Sequence, residues 1–236
     1  MKVVVVIPTY NEAENLEEMA NAIFCLPIPD VGILIVDDNS PDGTGNIADS
    51  LSERYREKFK VIHREQKLGL GTAYVQGFRE AIKWGADIIV EMDADFSHDP
   101  KYLPKLIEYI QDNDVVVGSR YVEGGQTDTG WGMSRLMLSR FGNLYSCLLT
   151  GVKVKDATSG FKAFRTHVIE SMDFESFTCT GFAFQVEMAY MCHKQRFKIT
   201  EIPVKFTDRR KGISKINHRI IIEALLKIPL MRLRHL

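Results

Sequence analysis

Asp87-Ile-Ile-Val-Glu-Met-Asp-Ala-Asp95 starts as an almost unbroken apolar run and ends in two carboxylates. A continuous run of this kind is typical of a strand that is buried on both faces of a sheet. We predict a strand over residues 87–93 and four similar strands over 3–8, 32–38, 60–64 and 115–119. Amphipathic helical patterns separate them. This alternation predicts an α/β fold with a Rossmann-like, doubly wound and mostly parallel sheet flanked by helices.

Capping residues indicate where two of the helices begin. Asn11 is suited to cap a helix that starts at Glu12, and Asp99-Pro100 combines a cap residue with a first-turn proline. Two further helices are predicted over residues 43–58 and 71–84. Beyond Arg120, a glycine-rich stretch at 123–132 indicates a mobile loop, and helices at 134–150 and 181–194 alternate with strands at 160–165 and 198–206.

Charge is distributed unevenly along the 236 residues. From Lys194 onward the chain has 12 Lys and Arg against 3 Asp and Glu, whereas the rest has 18 against 28. This basic end predicts an anionic partner: nucleic acid, phosphate groups or a lipid surface. The four cysteines lack a C-x-x-C pair, which argues against a zinc ribbon or a disulfide framework and suits a reducing cytosol. No apolar stretch reaches about 18 residues, so we predict no transmembrane helix.

The two carboxylates that end the quoted stretch, Asp93 and Asp95, are the main chemical signal. Ligands of open α/β sheets bind beyond the carboxyl ends of the strands. Two carboxylates at such a place are suited to hold Mg²⁺ or Mn²⁺ together with a diphosphate, because these ions prefer oxygen ligands. The alternative is a solvated acidic loop that ends in a helix cap. His98 follows closely, and a supporting or solvent role is favoured over a ligand role.

Two more predicted strands end in polar residues, which outlines one crevice at the sheet edge. Residues 8–12 and 36–43 offer carboxylates that accept hydrogen bonds from a base and a ribose, and Tyr10 is suited to stack on a base. Asn11 and Asp42 have simpler interpretations as a helix cap and a turn residue. Residues 67–71 resemble a phosphate loop but lack its glycine spacing, so a tight helix start is favoured. The turn after the first predicted strand also lacks the glycine fingerprint of dinucleotide-binding proteins, which argues against a dehydrogenase.

Six motifs follow one another along the chain: V-I-P-T-Y-N-E, I-V-D-D-N-S-P-D-G-T, G-L-G-T-A-Y-V-Q-G, M-D-A-D-F-S-H-D-P, V-V-G-S-R-Y and S-G-F-K-A-F. In this order and at this spacing, the chain resembles the dolichyl-phosphate mannose synthases, which are inverting glycosyltransferases of family 2 with the GT-A fold. The resemblance extends from Val3 to about Lys215. It implies transfer of mannose from GDP-mannose to the phosphate of a dolichyl or polyprenyl phosphate.

The resemblance also implies roles for individual residues. It places the nucleoside of the donor against Pro8, Tyr10, Glu12, Val36 and Asp38. It assigns the diphosphate and a Mg²⁺ or Mn²⁺ ion to Asp93, Ala94, Asp95 and Ser97, where some family members have Gln in place of Ser97. It places around the donor three basic residues: Arg120, Arg209 and Lys215. It assigns the acceptor phosphate to Arg135 and Ser139. The expected catalytic set is Asp95, Arg120, Arg135 and Ser139.

These assignments agree with the chemistry of a phosphate acceptor. A phosphate monoester is largely ionised near neutral pH, so it needs positioning more than deprotonation. Arginine suits that task because its planar fork matches phosphate geometry. The chain also lacks the Q-x-x-R-W segment of relatives that extend polysaccharides with a carboxylate base. Inversion at the anomeric carbon is implied by the resemblance alone.

A polyprenyl acceptor implies contact with a membrane. We predict a catalytic domain over 1–217 and, over 218–236, a C-terminal basic amphipathic helix that lies on the membrane surface. The same pattern suits a helix that packs on the body, and separate anchoring subunits are a third option. The expected location is the cytoplasm, peripheral on the cytoplasmic face of a membrane.

Two alternatives keep part of this interpretation. The same reaction with UDP-glucose or UDP-N-acetylhexosamine as donor needs the same fold and acceptor. A non-catalytic nucleotide-binding protein needs no acceptor site, so the predicted grip of Arg135 and Ser139 argues against it. We expect no nucleic-acid partner, because the basic tail lacks interleaved aromatic residues.

Overall fold

A computed structural model describes residues 1–128, 130–179, 181, 183–208 and 218–235, and for residues 218–224 it describes the backbone alone. Its strands form a single seven-stranded sheet in the order β3-β2-β1-β4-β6-β5-β7. The strands are β1 Val3–Thr9, β2 Val31–Asp37, β3 Phe59–His63, β4 Ile88–Glu91, β5 Val115–Ser119, β6 Lys162–Arg165 and β7 Ile199–Pro203. Only β6 runs antiparallel to its neighbours, which confirms the predicted mostly parallel sheet.

Eight α-helices of the described chain connect or flank these strands. They are α1 Leu16–Phe24, α2 Thr44–Tyr55, α3 Leu70–Lys83, α4 Leu103–Tyr109, α5 Met133–Thr150, α6 Thr166–Glu170, α7 Phe184–Lys194 and α8 His218–Arg234. The predicted start of the first helix at Glu12 is wrong. Asn11 has a left-handed backbone with φ of 56°, and its N–H donates to Ser40 Oγ at 3.0 Å, so the chain first turns across the end of β2 before α1 begins.

The sheet separates two apolar cores, and β1 contributes alternate side chains to each. Val4 and Val6 pack on the side of α3 and α7, whereas Val5 and Ile7 pack on the side of α1 and α4. Gly77 of α3 lies directly over β1, where an added Cβ would come within 2.3 Å of Val6 Cγ1. A glycine is therefore required for this close approach of helix and sheet.

The last helix, α8, packs against the body of the protein. Ile228 and Met231 are buried in the core on the side of α7. Beyond them, the imidazole of His235 lies 3.2 Å from the buried carboxylate of Glu187. The boundary at residue 217 stays a prediction, because residues 209–217 are outside the described ranges. Within the described ranges, every helix is too short or too polar to span a bilayer.

Candidate active site

The candidate site lies at the edge where β2, β1, β4 and β5 end. These four strands run in the same direction, so their carboxyl ends meet at one edge of the sheet. A hydrogen bond of 2.9 Å from Thr9 Oγ1 to Asp37 Oδ1 joins the ends of β1 and β2. The structure thereby brings together the three polar strand ends that the sequence predicts.

The Asp93–Asp95 turn follows β4 and is held by its own backbone. Asp95 is buried, and its Oδ1 accepts a hydrogen bond of 3.0 Å from the Ser97 N–H. Asp93 is partly exposed, and its Oδ1 accepts from the hydroxyl of Tyr74 at 3.3 Å. Phe96, between Asp95 and Ser97, adopts a left-handed conformation with φ of 63°. The turn thus fixes two carboxylates beyond a central strand, as predicted.

His98 supports this turn from beneath. Its ring stacks on Phe161 at 5.1 Å between centroids, and its Nδ1 accepts a hydrogen bond of 3.1 Å from the Asp93 N–H. Burial lowers the pKa of His98 to about 4, so the imidazole is neutral at neutral pH and keeps Nδ1 as an acceptor. The predicted supporting role is therefore favoured over a ligand role.

The residues of the turn fit a metal ion that shares its coordination with a bound diphosphate. The hydroxyl oxygen of Ser97 is buried, and none of the described residues gives it a hydrogen-bond partner. An orphan oxygen next to two carboxylates is what such an ion requires of the protein. The described residues contain no cluster of three or more His, Cys, Asp or Glu that would hold a metal without further ligands.

Asp38 organises the loop that resembled a phosphate cradle. Its Oδ1 accepts from Arg64 Nη1 and the Leu68 N–H, and its Oδ2 accepts from the Gly69 N–H, each at 2.9 Å. The amide hydrogens that a phosphate would need are therefore already bound. This confirms the favoured interpretation, a tight helix start, with α3 beginning at Leu70.

The other predicted nucleoside residues differ in their positions. Tyr10 lies at the edge, where Lys67 Nζ is 3.5 Å from the centre of its ring. Glu12 is buried and accepts from Asn15 Nδ2 at 2.9 Å. Pro8 is partly exposed near the end of β1. The side chain of Val36 is fully buried in the core under α3, so it does not line the crevice.

Arg120 follows β5 and is tied to a residue that the sequence did not single out. Its Nε and Nη2 donate to the two oxygens of Asp156 at 2.8 and 2.7 Å, and Nη2 also donates to Thr158 Oγ1 at 2.7 Å. Burial opposes the charge on Asp156, but Arg120 keeps the pKa of this carboxyl below its usual value. The guanidinium is thus a fixed cation at the edge of the sheet.

A second buried ion pair lies directly behind the Asp93–Asp95 turn. Lys162 Nζ donates to Glu91 Oε1 at 2.7 Å and to Gln185 Oε1 at 2.5 Å, and it also donates to the carbonyl of Ser159. Neither Glu91 Oε2 nor Gln185 Nε2 has a partner among the described residues. Sequence reasoning missed this pair, although a glutamate inside an apolar strand is an available signal.

The predicted acceptor residues lie on α5, close to the same edge. Arg135 forms a two-pronged ion pair with Asp208 at 2.9 and 3.1 Å, and the Ser139 hydroxyl lies 2.8 Å from that of Tyr121. The segment that ends at Asp208 contacts the acidic turn, because Thr207 Oγ1 donates to the Phe96 carbonyl at 2.9 Å. Arg209 and Lys215 lie outside the described residues, immediately after this segment.

The stretch expected to be a mobile loop is partly paired with that same segment. The Gln126 N–H donates to the Val204 carbonyl at 3.0 Å, and the Phe206 N–H donates to the Gln126 carbonyl at 2.9 Å. This pairing continues beyond the end of β7. It holds residues 126–128 beside the acidic turn.

Comparison with known proteins assigns this architecture to a family. Residues 4–172 match the profile described as glycosyl transferase family 2. The chain belongs to glycosyl transferase family 2. The family recognised from the six motifs is thereby confirmed, and the protein is a glycosyltransferase.

Curated relatives of this family 2 enzyme match it over nearly its whole length. The polyprenol monophosphomannose synthase of Mycolicibacterium smegmatis is 41% identical, over 96% of this chain and 85% of the relative. The undecaprenyl-phosphate mannosyltransferase of Micrococcus luteus is 39% identical, over 97% and 93%. The dolichol-phosphate mannosyltransferase of Pyrococcus furiosus is 38% identical, over 95% of this chain and 62% of the relative.

Solved structures support the GT-A-like fold of this glycosyltransferase. Glucosyl-3-phosphoglycerate synthase of Mycobacterium tuberculosis, in complex with Mn²⁺, UDP-glucose and phosphoglyceric acid, superposes with a TM-score of 0.69. The match has 18% sequence identity and covers 98% of this chain and 79% of that one. At this identity the likeness concerns the fold.

Proposed function

We propose that this glycosyltransferase transfers mannose from GDP-mannose to the phosphate of a polyprenyl or dolichyl phosphate, with inversion at the anomeric carbon. Relatives at 38–41% identity with mannose-transferring names support this substrate pair. The observation that carries the proposal is the chain of contacts from Arg135 to the acidic turn: Arg135 pairs with Asp208, and the neighbouring Thr207 donates to the Phe96 carbonyl. This arrangement provides a cationic acceptor site beside a candidate diphosphate site.

The donor binds across the ends of β1, β2 and β4 in this proposal. Tyr10, Glu12 and Asp38 contact the nucleoside, with Pro8 beside them at the end of β1. Asp93, Asp95 and Ser97 would hold Mg²⁺ or Mn²⁺, and the ion would supply positive charge to the leaving diphosphate. Arg209 and Lys215, which lie outside the described residues, are the further cations that we propose for the diphosphate. Arg120, fixed by Asp156, adds a preorganised positive charge.

The acceptor phosphate binds on α5. Asp208 binds both prongs of the Arg135 guanidinium, and a phosphate dianion offers the same paired oxygens to that fork. Ser139 donates a further hydrogen bond. Because the phosphate oxygen is already ionised, these residues have to orient it toward C1 of the sugar and need not remove a proton.

The proposed location is the cytoplasmic face of a membrane. All four cysteines are free, which suits a reducing compartment. The phosphate of a polyprenyl lipid lies at the membrane surface, so the enzyme has to bind there peripherally, on its own or through anchoring subunits. The basic helix α8 is the element that the sequence predicts for this contact.

The decisive experiment is a donor screen with a short polyprenyl phosphate. We expect mannosyl product from GDP-mannose, faster than product from UDP-glucose or UDP-N-acetylhexosamine, and loss of turnover in EDTA that Mg²⁺ or Mn²⁺ restores. Asp95→Asn should lower kcat/KM by at least about 100-fold, because metal ions contribute several kcal/mol to charge stabilisation. Asp99→Asn is the matched control, since Asp99 caps the next short helix through the Lys101 N–H.

Two results would contradict the proposal. Absence of lipid-linked sugar with every donor would exclude the activity. Faster turnover with a UDP-sugar than with GDP-mannose would exclude the donor assignment. Full activity of Asp95→Asn would exclude only the assigned diphosphate and metal site.

A further inference from the structure

Trp131 lies between the proposed acceptor residues of α5 and the segment that ends at Asp208. The Cζ atom of Arg135 is 4.2 Å from the centre of the indole, so the guanidinium stacks over the ring. The ring of Phe206, in the segment before Asp208, meets the same indole edge-on at 5.7 Å between centroids. One aromatic side chain thus contacts both the proposed acceptor cation and the segment beside the acidic turn.

Stacking on an aromatic ring suits the task of Arg135. The attraction acts on the face of the guanidinium, whereas its N–H groups point outward in the plane, where they are available to an anion. Arg135 directs two of these groups to Asp208, at 2.9 and 3.1 Å. The contact with the indole does not depend on Asp208, so it remains when an acceptor phosphate takes the place of this carboxylate.

The ring face of Trp131, and not its N–H group, makes this contribution. Nε1 is buried, and none of the described residues accepts a hydrogen bond from it. A buried donor without an acceptor is unfavourable, so the N–H gives no advantage in this position. Phenylalanine keeps an aromatic face without the unpaired donor, which makes Trp131→Phe a conservative replacement.

Asp128 holds the loop of Trp131 against the segment that ends at Asp208. Its Oδ2 accepts from the Asp208 N–H and its Oδ1 from the Gly130 N–H, each at 2.7 Å. The hydrogen bond from Asp208, and then that from Gly130, lowers the pKa of the Asp128 carboxyl, so this bridge is charged at neutral pH. The indole is therefore held in place from both sides of the loop.

Phe206 connects the indole to the acidic turn. Its ring meets that of His98 edge-on at 5.5 Å between centroids, and the Cζ atom of Arg120 lies 5.2 Å from its centre. His98 in turn accepts a hydrogen bond from the Asp93 N–H. The rings of Trp131, Phe206 and His98 thus pack one against the next, from the acceptor arginine to the turn that would hold the diphosphate.

We propose that Trp131 is a positioning residue for the acceptor, which holds the guanidinium of Arg135 in a fixed orientation and at a fixed distance from the Asp93–Asp95 turn. This inference rests on the proposed function, which it deepens by naming the residue that orients the acceptor cation. Loss of the indole should weaken acceptor binding and leave donor binding intact.

Steady-state kinetics with GDP-mannose and a short polyprenyl phosphate test the proposal. Trp131→Ala should raise the KM for the acceptor about 3- to 30-fold, the range expected for the loss of one cation–π contact. The kcat and the KM for GDP-mannose should change less than about twofold, because the contact is made equally before and during transfer. Trp131→Phe should restore most of the acceptor affinity. The matched control is Trp84→Phe at the end of α3, which should leave both KM values unchanged.

Fluorescence gives a readout that a purely structural role would not move. The chain has two tryptophans, so Trp131 is the only one left in Trp84→Phe. Adding the short polyprenyl phosphate should change its emission, with a midpoint near the acceptor KM. The corresponding polyprenol, which lacks the phosphate, should have no effect. Trp131→Phe, in which only Trp84 emits, is the control and should not respond to either compound.

The outcomes separate this inference from the proposed function. An unchanged acceptor KM in folded Trp131→Ala, or an equal rise of both KM values, would overturn the inference. An equal emission response to the polyprenol would also overturn it, because Trp131 would then contact the isoprenoid chain. The titration uses chains with an aromatic ring at both positions, so it decides the question even if Trp131→Ala does not fold. Absence of transfer by wild type would instead refute the proposed function, and the titration would still test for a phosphate beside Trp131.

Discussion

Replacing Lys162 by methionine removes the cation that neutralises Glu91, two residues before Asp93. Both side chains are almost fully buried, and the lysine ammonium donates to Glu91, Ser159 and Gln185. Methionine keeps the length of the apolar stem but leaves the Glu91 carboxylate without its counterion. The three acceptors also lose a shared donor.

The expected loss is a large part of the total stability. Breaking a buried ion pair by removing one partner costs about 3–5 kcal/mol, against about 5–15 kcal/mol for the unfolding of a whole domain. Neutralising both groups in Glu91→Gln/Lys162→Met leaves no buried charge. We therefore expect the double variant to be more stable than the sum of the single changes implies, with a coupling energy of about 2–3 kcal/mol.

The pH dependence of the stability of Lys162→Met gives a second test of this ion pair. Burial raises the pKa of Glu91, and the charge of Lys162 opposes that rise. Without Lys162, folded Glu91 keeps its proton above the pH at which the unfolded chain loses it. The stability of Lys162→Met should therefore fall as pH rises from about 5 to about 8, relative to wild type.

Urea unfolding of the four chains at about pH 5 and pH 8 measures both effects. The double variant lacks the buried acid, so it serves as the control for the pH term. Additive single changes, or a pH profile of Lys162→Met that parallels wild type, would show that Glu91 is not held as a charged group by Lys162.

Three further predictions concern packing, acceptor binding and ionisation. Gly77→Ala should lower the free energy of unfolding by about 1–3 kcal/mol through overpacking against β1, whereas Gly142→Ala, which has open space at its Cβ, should raise it by about 0.5–1 kcal/mol. Equal changes of the two variants in urea unfolding would contradict the close approach of Gly77 to β1. Arg135→Ala should raise the KM for the acceptor at least about tenfold, whereas Lys153→Ala, at an exposed position, should leave it unchanged. An unchanged KM in Arg135→Ala would exclude a role of Arg135 in acceptor binding. Burial raises the pKa of Cys192 to about 12, so the free energy of unfolding should fall as the pH rises from about 9 to 12. This thiol contributes up to about 1.4 kcal/mol per pH unit, and the slope measured by urea unfolding must be smaller in Cys192→Ala.

The strands were predictable because their signal is local. β1, β2, β4 and β5 are short, nearly continuous apolar runs rich in Val and Ile, and each strand lies within a few residues of the predicted range. The direction of β6 was not predictable, since pairing with β4 and β5 decides it. The start of α1 was missed because Asn11 uses its N–H on Ser40, 29 residues away, before the helix begins.

The candidate site also contains residues that could be predicted from the sequence and contacts that could not. Asp93, Asp95 and Asp38 could be predicted because each lies within a few residues of the end of an apolar run. The partner of Arg120 is 36 residues away and that of Glu91 is 71 residues away, so neither ion pair leaves a pattern in the sequence. The orientation of α5, which exposes Met137 and Leu148 and buries Asn143, was equally hidden, because periodicity places residues on one side of a helix without telling which side meets the protein.

The hydrogen bonds of Asp38 limit how a nucleobase is selected. A carboxylate has about four acceptor positions, and Arg64, Leu68 and Gly69 already fill three of them. One position on Oδ2 remains, so Asp38 accepts a single donor from the ligand in this loop conformation. Guanine presents two adjacent N–H groups and uracil one, which means that Asp38 alone does not distinguish them. A preference for guanine therefore requires a second acceptor elsewhere along the crevice.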